Sequence, residues 1–309
     1  MDKSALQRPI YAISGPTASG KTALAVKLAL HVGGEVINFD SVQIYKGIEI
    51  ATAKPTEEEK HGVPHHLIDY VDPNINYTAA HWARDAIEVI GEIESRGNVP
   101  ILVGGTGFYL RTLLNPLFES PKTDEELRER LTVLKDRRGS EHLHDMLRRI
   151  DPDAAEKLFP RDYVRVIRAL EVCFQTRGQF SKQQTNRSDP PEFASRVKLF
   201  VLNPARDVLY QRINGRTETH FNAGLVDEVK HLQQLGVQET TNALGSHGYR
   251  RVCEFLRGER TLESAVERSK QDVRNYAKRQ VTWFRREKAI WLDGFGDEER
   301  IFVEMCNAL

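Results

Sequence analysis

Gly15-Pro16-Thr17-Ala18-Ser19-Gly20-Lys21-Thr22 spells G-x-x-x-x-G-K-T, a spacing that wraps backbone N–H groups around an anion at the positive end of a helix dipole. In such a loop Gly15 and Gly20 permit backbone angles and close approach that a Cβ would block. Lys21 reaches phosphate oxygens and the Thr22 hydroxyl sits on Mg²⁺. The chemistry indicated is the handling of a phosphate ester with a metal, most commonly by a kinase or NTPase. Three further sites stand where they would act on the same ligand. Asp40 ends the apolar run Glu35-Val36-Ile37-Asn38-Phe39. It is a catalytic candidate, or a cap of the next turn shared with Ser41, or the metal-binding carboxylate of a kinase. Thr106 follows Gly104-Gly105 where a helix begins, and its plain alternative is an N-cap. Arg212 and Arg216 lie four apart on one helix face, a candidate clamp on a leaving group.

The elements that must position these residues are legible around them. Ile10-Tyr11-Ala12-Ile13 is a strand entering the loop and Ala23 to Leu30 a helix leaving it. Val99-Pro100-Ile101-Leu102-Val103, apolar on both faces, belongs in the middle of a parallel sheet, with Thr106 just past its carboxyl end. Pro64 to Val71 is expected to be another strand. Its neighbouring His65 and His66 would point to opposite faces, so they are structural or close to substrate and not metal ligands. Gly47 to His61 is a loop with a charged turn, and Tyr77 to Ile93 a helix with an apolar stripe at Trp82, Ala86, Val89, Ile90 and Ile93. From Thr123 to Thr176 the leucines recur at helical spacing, with breaks at Pro152 and Pro160 and no strand. Gln179 to Pro191 is polar and expected to be mobile. Lys198-Leu199-Phe200-Val201-Leu202 resumes the sheet, and past Pro204 the chain is expected to be helical. The fold class is α/β: a P-loop NTPase-like parallel sheet flanked by helices, with an all-helical insertion domain. Residues 1–120 plus 195–309 form the catalytic core with a basic helical carboxyl-terminal part, and 121–194 the insertion.

In 309 residues there is room for one large or two modest domains, and 44 Lys and Arg balance 44 Asp and Glu, so no whole-protein field attracts nucleic acid. Any basic patch is therefore local. Arg268 to Lys288 is one, with eight basic residues against Asp272 and Glu287, and Tyr276, Trp283 and Phe284 interleaved. Such a segment suits an RNA backbone with stacked bases, or equally a solvated amphipathic helix with its rings in the core. Cys173, Cys253 and Cys306 are scattered, odd in number and without zinc spacing, which fits reduced thiols. Met1 to Pro9 lacks an apolar signal core and no run is long enough for a membrane span, so a soluble, cytoplasmic chain is expected.

Taken together, Gly15 to Thr22, Asp40-Ser41-Val42-Gln43-Ile44-Tyr45-Lys46-Gly47, Thr52-Ala53-Lys54-Pro55, Gly104-Gly105-Thr106, Arg168-Ala169-Leu170-Glu171-Val172, Tyr276-Ala277-Lys278-Arg279-Gln280 and Thr282-Trp283-Phe284 resemble tRNA dimethylallyltransferase. The blocks occur in the family's order and span nearly the whole chain. The resemblance implies transfer of a dimethylallyl group from dimethylallyl diphosphate to N6 of the adenosine immediately 3′ of the anticodon, releasing diphosphate. By the same resemblance Gly15, Thr17, Ala18, Ser19, Gly20, Lys21 and Thr22 hold the diphosphate, Thr22 with Mg²⁺. Asp40 is the general base, and Thr106 and Arg216 act on the leaving group. Asp40, Ser41, Val42 and Gln43, then Val164, Arg165, Val166, Ile167 and Arg168, contact the tRNA. Lys278 and Arg279 of the basic helix join them in gripping the anticodon stem-loop. A monomer of the bacterial form, without the zinc finger of some eukaryotic relatives, is implied.

Two departures from the family's pattern stand out. Thr176-Arg177-Gly178 replaces Thr-Gly, and His220-Phe221 lacks the methionine often found before Gly224. Three other readings compete: a small-molecule kinase with Asp40 on the metal, a prenyltransferase of free adenine nucleotides, and a non-catalytic tRNA-binding protein. ATP turnover would mark the first. The helical insertion and the basic aromatic helix favour a large RNA over a mononucleotide, and intact Lys21, Thr22 and Asp40 disfavour the last.

Overall fold

Burial on both faces explains the apolar strands. In the computed structural model, which describes residues 8–308, β1 (Ile10–Ser14) and β4 (Val99–Val103) are buried along their whole length. They sit at the centre of a six-stranded sheet with β2 (Gly34–Asn38), β3 (His65–His66), β5 (Val197–Leu202) and β6 (Ile290–Leu292), in the order β3-β2-β4-β1-β5-β6. Every pairing is parallel, with Ala12 opposite Leu102 on one side and Leu199 on the other. Alternation along β1 feeds two cores. Ile10 and Ala12 pack with Trp82, Phe39 and Val201 on one face, while Tyr11 and Ile13 pack with Leu24, Leu28 and Phe200 on the other. Met1 to Gln7, most of the segment expected to lack a signal core, lie outside the described residues.

The first half of the sheet carries α1 (Lys21–Val32), α2 (Glu57–Lys60), α3 (Ala79–Ser95) and α4 (Gly107–Leu114). Thr78 opens α3 by accepting the His81 N–H, with the His81 side chain reaching back to the Thr78 N–H, a reciprocal cap that satisfies two orphan donors. The strand expected over Pro64 to Val71 shrinks to two residues. Leu67 and Asp69 take left-handed angles of φ 57° and 54°, which no continuing ladder tolerates, and Val71 returns only as a bridge to Tyr45.

Asn115–Pro190 forms a second compact unit, of α5 (Glu125–Arg138), α6 (Ser140–Ile150), α7 (Pro152–Lys157), α8 (Tyr163–Thr176) and α9 (Phe180–Gln183). It has its own core around Leu131, Leu143, Leu147, Val166 and Leu170. Its bounds differ from the expected 121–194 for physical reasons. Phe118 packs edge-on against Phe180, and Arg168 binds the Ser120 hydroxyl at 2.7 Å, so 115–120 belongs with the helices. Phe193 joins the core of the sheet. Part of the segment expected to be mobile is tied down, since the Ser181 N–H and hydroxyl both donate to Asp151 at 2.7 Å.

After β5 come α10 (Arg206–Asn222), α11 (Leu225–Gln234), α12 (His247–Leu256) and α13 (Leu262–Phe284), then β6 and α14 (Glu298–Asn307). The expectation of helix alone past Pro204 therefore missed β6, an edge strand of three residues directly after a basic run. Among the described residues no helix is long and apolar enough to cross a membrane.

Candidate active site

Parallel strands deliver their ligand-facing turns to one edge of the sheet. The turns after β1, β2 and β4 carry the phosphate loop, Asp40 and Thr106, and α10 and α13 bring Arg216 and Tyr276 to the same place. Two adjoining hollows result. One, of about 1140 Å³, is lined by Gly20, Lys21, Thr22, Lys27, Lys54 and Arg216 among others. The other, of about 600 Å³, is lined by Tyr45, Tyr77, Tyr109, Tyr276 and Phe221, and its charged side chains are Asp40 and Arg216 alone. Thr17, Ala18, Asp40, Thr52, Arg216 and His220 line both.

The cationic half is built for an anion. Ala18 and Gly20 take left-handed angles of φ 63° and 87°, which turn successive backbone N–H groups toward one concavity. The Lys21 ammonium folds back onto the carbonyls of Gly15 at 3.1 Å and Pro16 at 2.8 Å, and burial lowers its pKa to about 8 against the pull of Asp40. Ser19 Oγ is buried with no hydrogen-bond partner. Among the described residues the Arg216 guanidinium has no hydrogen bond or ion pair, and burial lowers its pKa. A half-buried cation and a buried hydroxyl left unpartnered are groups that a ligand would complete. Arg212 does not join Arg216 as a clamp. Its guanidinium stacks at 3.9 Å on the Phe295 ring, in a separate small hollow behind the loop.

Asp40 combines two of the roles open to it. Its Oδ1 caps the following turn, accepting from the N–H groups of Val42 at 2.9 Å and Gln43 at 3.4 Å. Its Oδ2 receives no hydrogen bond from any described residue, while the side chain lines both hollows. Thr106 is not a side-chain cap of α4. Its Oγ1 accepts from the Ser41 N–H at 3.1 Å and lies 3.3 Å from the Ser41 hydroxyl, which ties the turn after β4 to the turn after β2. Thr22 lines the cationic half, and no cluster of three or more His, Cys, Asp or Glu that could hold a metal occurs among the described residues. His65 also lines it, and His66 binds Glu35 at 2.6 Å.

The expected RNA contacts divide. Ser41, Val42 and Gln43 are half-buried beside Asp40, and Lys278 and Arg279 are exposed on α13. Within the helical unit Val164 is 65% exposed, whereas Val166 and Ile167 are core residues. Arg168 is occupied by Glu171, Ser120 and Pro121. The first turn of α8 therefore exposes Val164 and Arg165, the latter paired with Asp162 at 2.6 Å, and the buried periodicity of the helix turns Val166 and Ile167 inward. Along the basic segment Phe284 is buried, Trp283 carries Arg111 at 4.2 Å, and Tyr276 alone of the three rings faces the cleft.

Two cleft residues, His220 and Gln280, escape sequence reasoning as site residues, and the sequence presents Tyr276 only as a ring for stacked bases or for the core. Tyr276 sits against the His247 ring with centroids 4.8 Å apart, and its pKa is raised by burial and then by Asp40. His220 is pushed down to about 4 by burial and by Arg216, so it faces the cleft uncharged. Gln280 is buried between the phosphate loop and the turn after β4. Tyr276 and Gln280 lie four apart, one face of α13, opposite the lysine and arginine between them; that spacing was the available signal.

Comparison with known proteins agrees with this geometry. The IPP transferase family profile matches residues 43–287. The chain is 45% identical over 294 residues to the tRNA dimethylallyltransferase of Solibacter usitatus, covering 95% of each. To that of Koribacter versatilis it is 46% identical over 302 residues, covering 97% of each. Among solved structures it resembles the full-length tRNA isopentenylpyrophosphate transferase of Bacillus halodurans, with a TM-score of 0.72, 39% identity and coverage of 97% of this chain and 95% of that one. It also resembles a eukaryotic dimethylallyltransferase acting on tRNA, with a TM-score of 0.78, 30% identity and coverage of 93% and 74%. With relatives matched over nearly their whole length and a phosphate loop, Asp40, Thr106 and Arg216 gathered at one cleft, the chain belongs to the IPP transferase family, that of the tRNA dimethylallyltransferases.

Proposed function

We propose that this protein transfers the dimethylallyl group of dimethylallyl diphosphate to N6 of the adenosine immediately 3′ of the anticodon in tRNA, releasing diphosphate. The observation that carries the reading is the cleft of two unlike halves, one cationic and one aromatic, which share Asp40 and Arg216. Diphosphate fits the first half and a splayed-out purine the second, with the allylic carbon at the junction. As the C–O bond breaks, charge gathers on the diphosphate, where the loop N–H groups, Lys21 and Arg216 stabilise it. Thr106 turns its hydroxyl from Ser41 toward the bridging oxygen.

The adenine amine is a weak nucleophile because its lone pair is delocalised into the ring. Asp40 Oδ2 takes its proton as the new C–N bond forms, while Oδ1 stays anchored on Val42 and Gln43. The donor set suits Mg²⁺, which binds through few protein groups and the substrate's phosphates. The Thr22 hydroxyl would hold it, and the ion would neutralise charge on the diphosphate. Lys278, Arg279 and the Asp40 to Gln43 turn hold the anticodon loop, with Val164 and Arg165 of the helical unit on the same RNA. The protein acts as a cytoplasmic monomer.

The test is one incubation of protein, Mg²⁺, dimethylallyl diphosphate and an unmodified tRNA with adenosine after its anticodon, read by mass analysis of nuclease fragments. An anticodon-loop fragment heavier by one dimethylallyl group is expected. No gain in mass, with ATP consumed in a parallel tube, overturns the proposal in favour of a kinase.

A further inference from the structure

Gln280 is 4% exposed and commits both ends of its carboxamide to backbone. Oε1 accepts from the Thr17 N–H at 2.9 Å and Nε2 donates to the Gly105 carbonyl at 3.0 Å. Only this orientation of the amide satisfies both partners. Thr17 stands in the phosphate loop and Gly105 directly before Thr106. The two turns leave neighbouring strands, and the last direct ties between them are Gly104 N–H to Ile13 at 3.2 Å and Ser14 Oγ to Gly104 at 2.8 Å. Past those bonds no direct hydrogen bond joins the two turns among the described residues, and Gln280 bridges them from Thr17 to Gly105. A Cβ on Gly105 would come within 2.0 Å of Nε2, so this turn is shaped around the amide.

The helix does not need the contact in order to dock. Ala277 and Phe284 are fully buried on α13, and the Trp283 ring lies so close to Gly107 that a Cβ there would meet it at 2.2 Å. What Gln280 adds is local to the site. It removes the Thr17 N–H from the set of donors free to pursue an anion, and it holds the Thr106 turn at a set distance from the loop.

We propose that Gln280 is a positioning residue of the transfer reaction, a strut that makes the phosphate loop and the Thr106 hydroxyl converge on one diphosphate. The inference rests on the function proposed above, and its test separates the two. Gln280→Met keeps the volume and drops both bonds. Misplacing a reacting group by about 1 Å costs on the order of 100-fold in rate, so kcat should fall by about that factor with KM for tRNA nearly unchanged. Gln280→Glu is the complementary variant. A protonated carboxyl offers one acceptor and one donor, as the amide does, whereas the carboxylate offers acceptors only. Burial raises such a group's pKa.

The ratio of Gln280→Glu to wild-type kcat should therefore climb as pH falls from about 8 to about 6. Wild type and Gln280→Met, measured over the same pH range, supply the baseline for the other charged and titratable groups of this cleft, Lys21, Asp40, Arg216, His220, His247 and Tyr276. A Gln280→Met protein with wild-type kcat, or a Gln280→Glu ratio flat in pH, overturns the strut. If Gln280→Met fails to fold, the pH ratio decides alone. Absence of transfer by the wild type in the same tubes instead removes the reaction itself.

Discussion

Lys21 makes the site's affinity for diphosphate depend on pH in a way that can be worked out. Burial holds its pKa in the free protein at about 8, and a bound polyanion would restore it to the ordinary lysine range, about 10.4. Only the protonated form binds well, so affinity scales as the protonated fraction of the free protein. That fraction is nearly complete at pH 7 and about one part in eleven at pH 9, a loss of about tenfold, or about 1.4 kcal/mol. The assay is calorimetric titration with inorganic pyrophosphate and Mg²⁺ from pH 6.5 to 9.5. Pyrophosphate itself titrates over this range, so Lys21→Met, which retains the ligand's protonation and loses the lysine's, supplies the baseline.

The excess slope of wild type over variant should emerge above about pH 8. Stability of the unliganded protein should move the other way. Between about 8 and about 10.4 the folded state carries neutral Lys21 while the unfolded chain still binds the proton, so unfolding free energy rises with pH across that window. Equal slopes for wild type and Lys21→Met would refute the claim that this ammonium, desolvated and waiting, is what the anion completes.

Asp40→Asn should keep the turn's cap and remove the base, lowering single-turnover transfer by about 100- to 10,000-fold while filter-binding affinity for tRNA stays nearly intact; equal losses in both would count against the base role. Lys278→Ala with Arg279→Ala should weaken tRNA binding and reduce the slope of log affinity against log salt by about 1 to 2, and an unchanged slope would remove these residues from the phosphate contacts. Arg177 closes α8 in a left-handed conformation at φ 53°, a place that favours glycine. Arg177→Gly should stabilise the protein against urea by up to about 1 kcal/mol, and destabilisation would mean the arginine side chain makes a contact that outweighs the backbone gain.

What could be read from sequence was whatever depends on local pattern. The strand, glycine turn and helix around Gly15 to Thr22 form one contiguous signal, and so does Val99 to Val103, because burial on both faces leaves no polar residue to blur it. The His65 to Val71 stretch misled for the opposite reason. Its apolar residues suit a strand, but Leu67 and Asp69 adopt left-handed angles that propensity does not reveal. Residues such as Ile290 to Leu292 become a strand only because β5 offers a free edge. Within the site, Asp40 and Thr106 were legible from their place after strands. Gln280 was not, since its role lies in two backbone atoms 263 and 175 residues away. Val166 and Ile167 show the other case: their apolar helical spacing marks a core face, and only the resemblance assigned them to RNA.

The phosphate loop alone is indifferent between moving a phosphoryl group and holding a diphosphate still while another bond to it breaks. The asymmetry of the cleft bears on that choice. A phosphoryl acceptor must reach phosphorus through a field that offsets the charge of the phosphate oxygens, which kinases supply with metals and cations around the transferred group. Here Lys21, Lys27 and Lys54 line only the loop half, with Lys27 paired to Glu299 and Lys54 to Glu49 and Asp69, and the acceptor half contributes no lysine at all. Its histidines are pressed toward neutrality, His220 by burial and Arg216 and His247 by burial and Arg279. Such a chamber favours an uncharged, flat acceptor over an anionic one, and its single carboxylate is Asp40, the base of the proposed reaction. A carbon centre bonded to the diphosphate and sitting between the halves meets cations on its leaving side and rings on its entering side. That is the charge distribution an allylic transfer needs, and it arises because α10 and α13, from the far end of the chain, close over turns that the first hundred residues build.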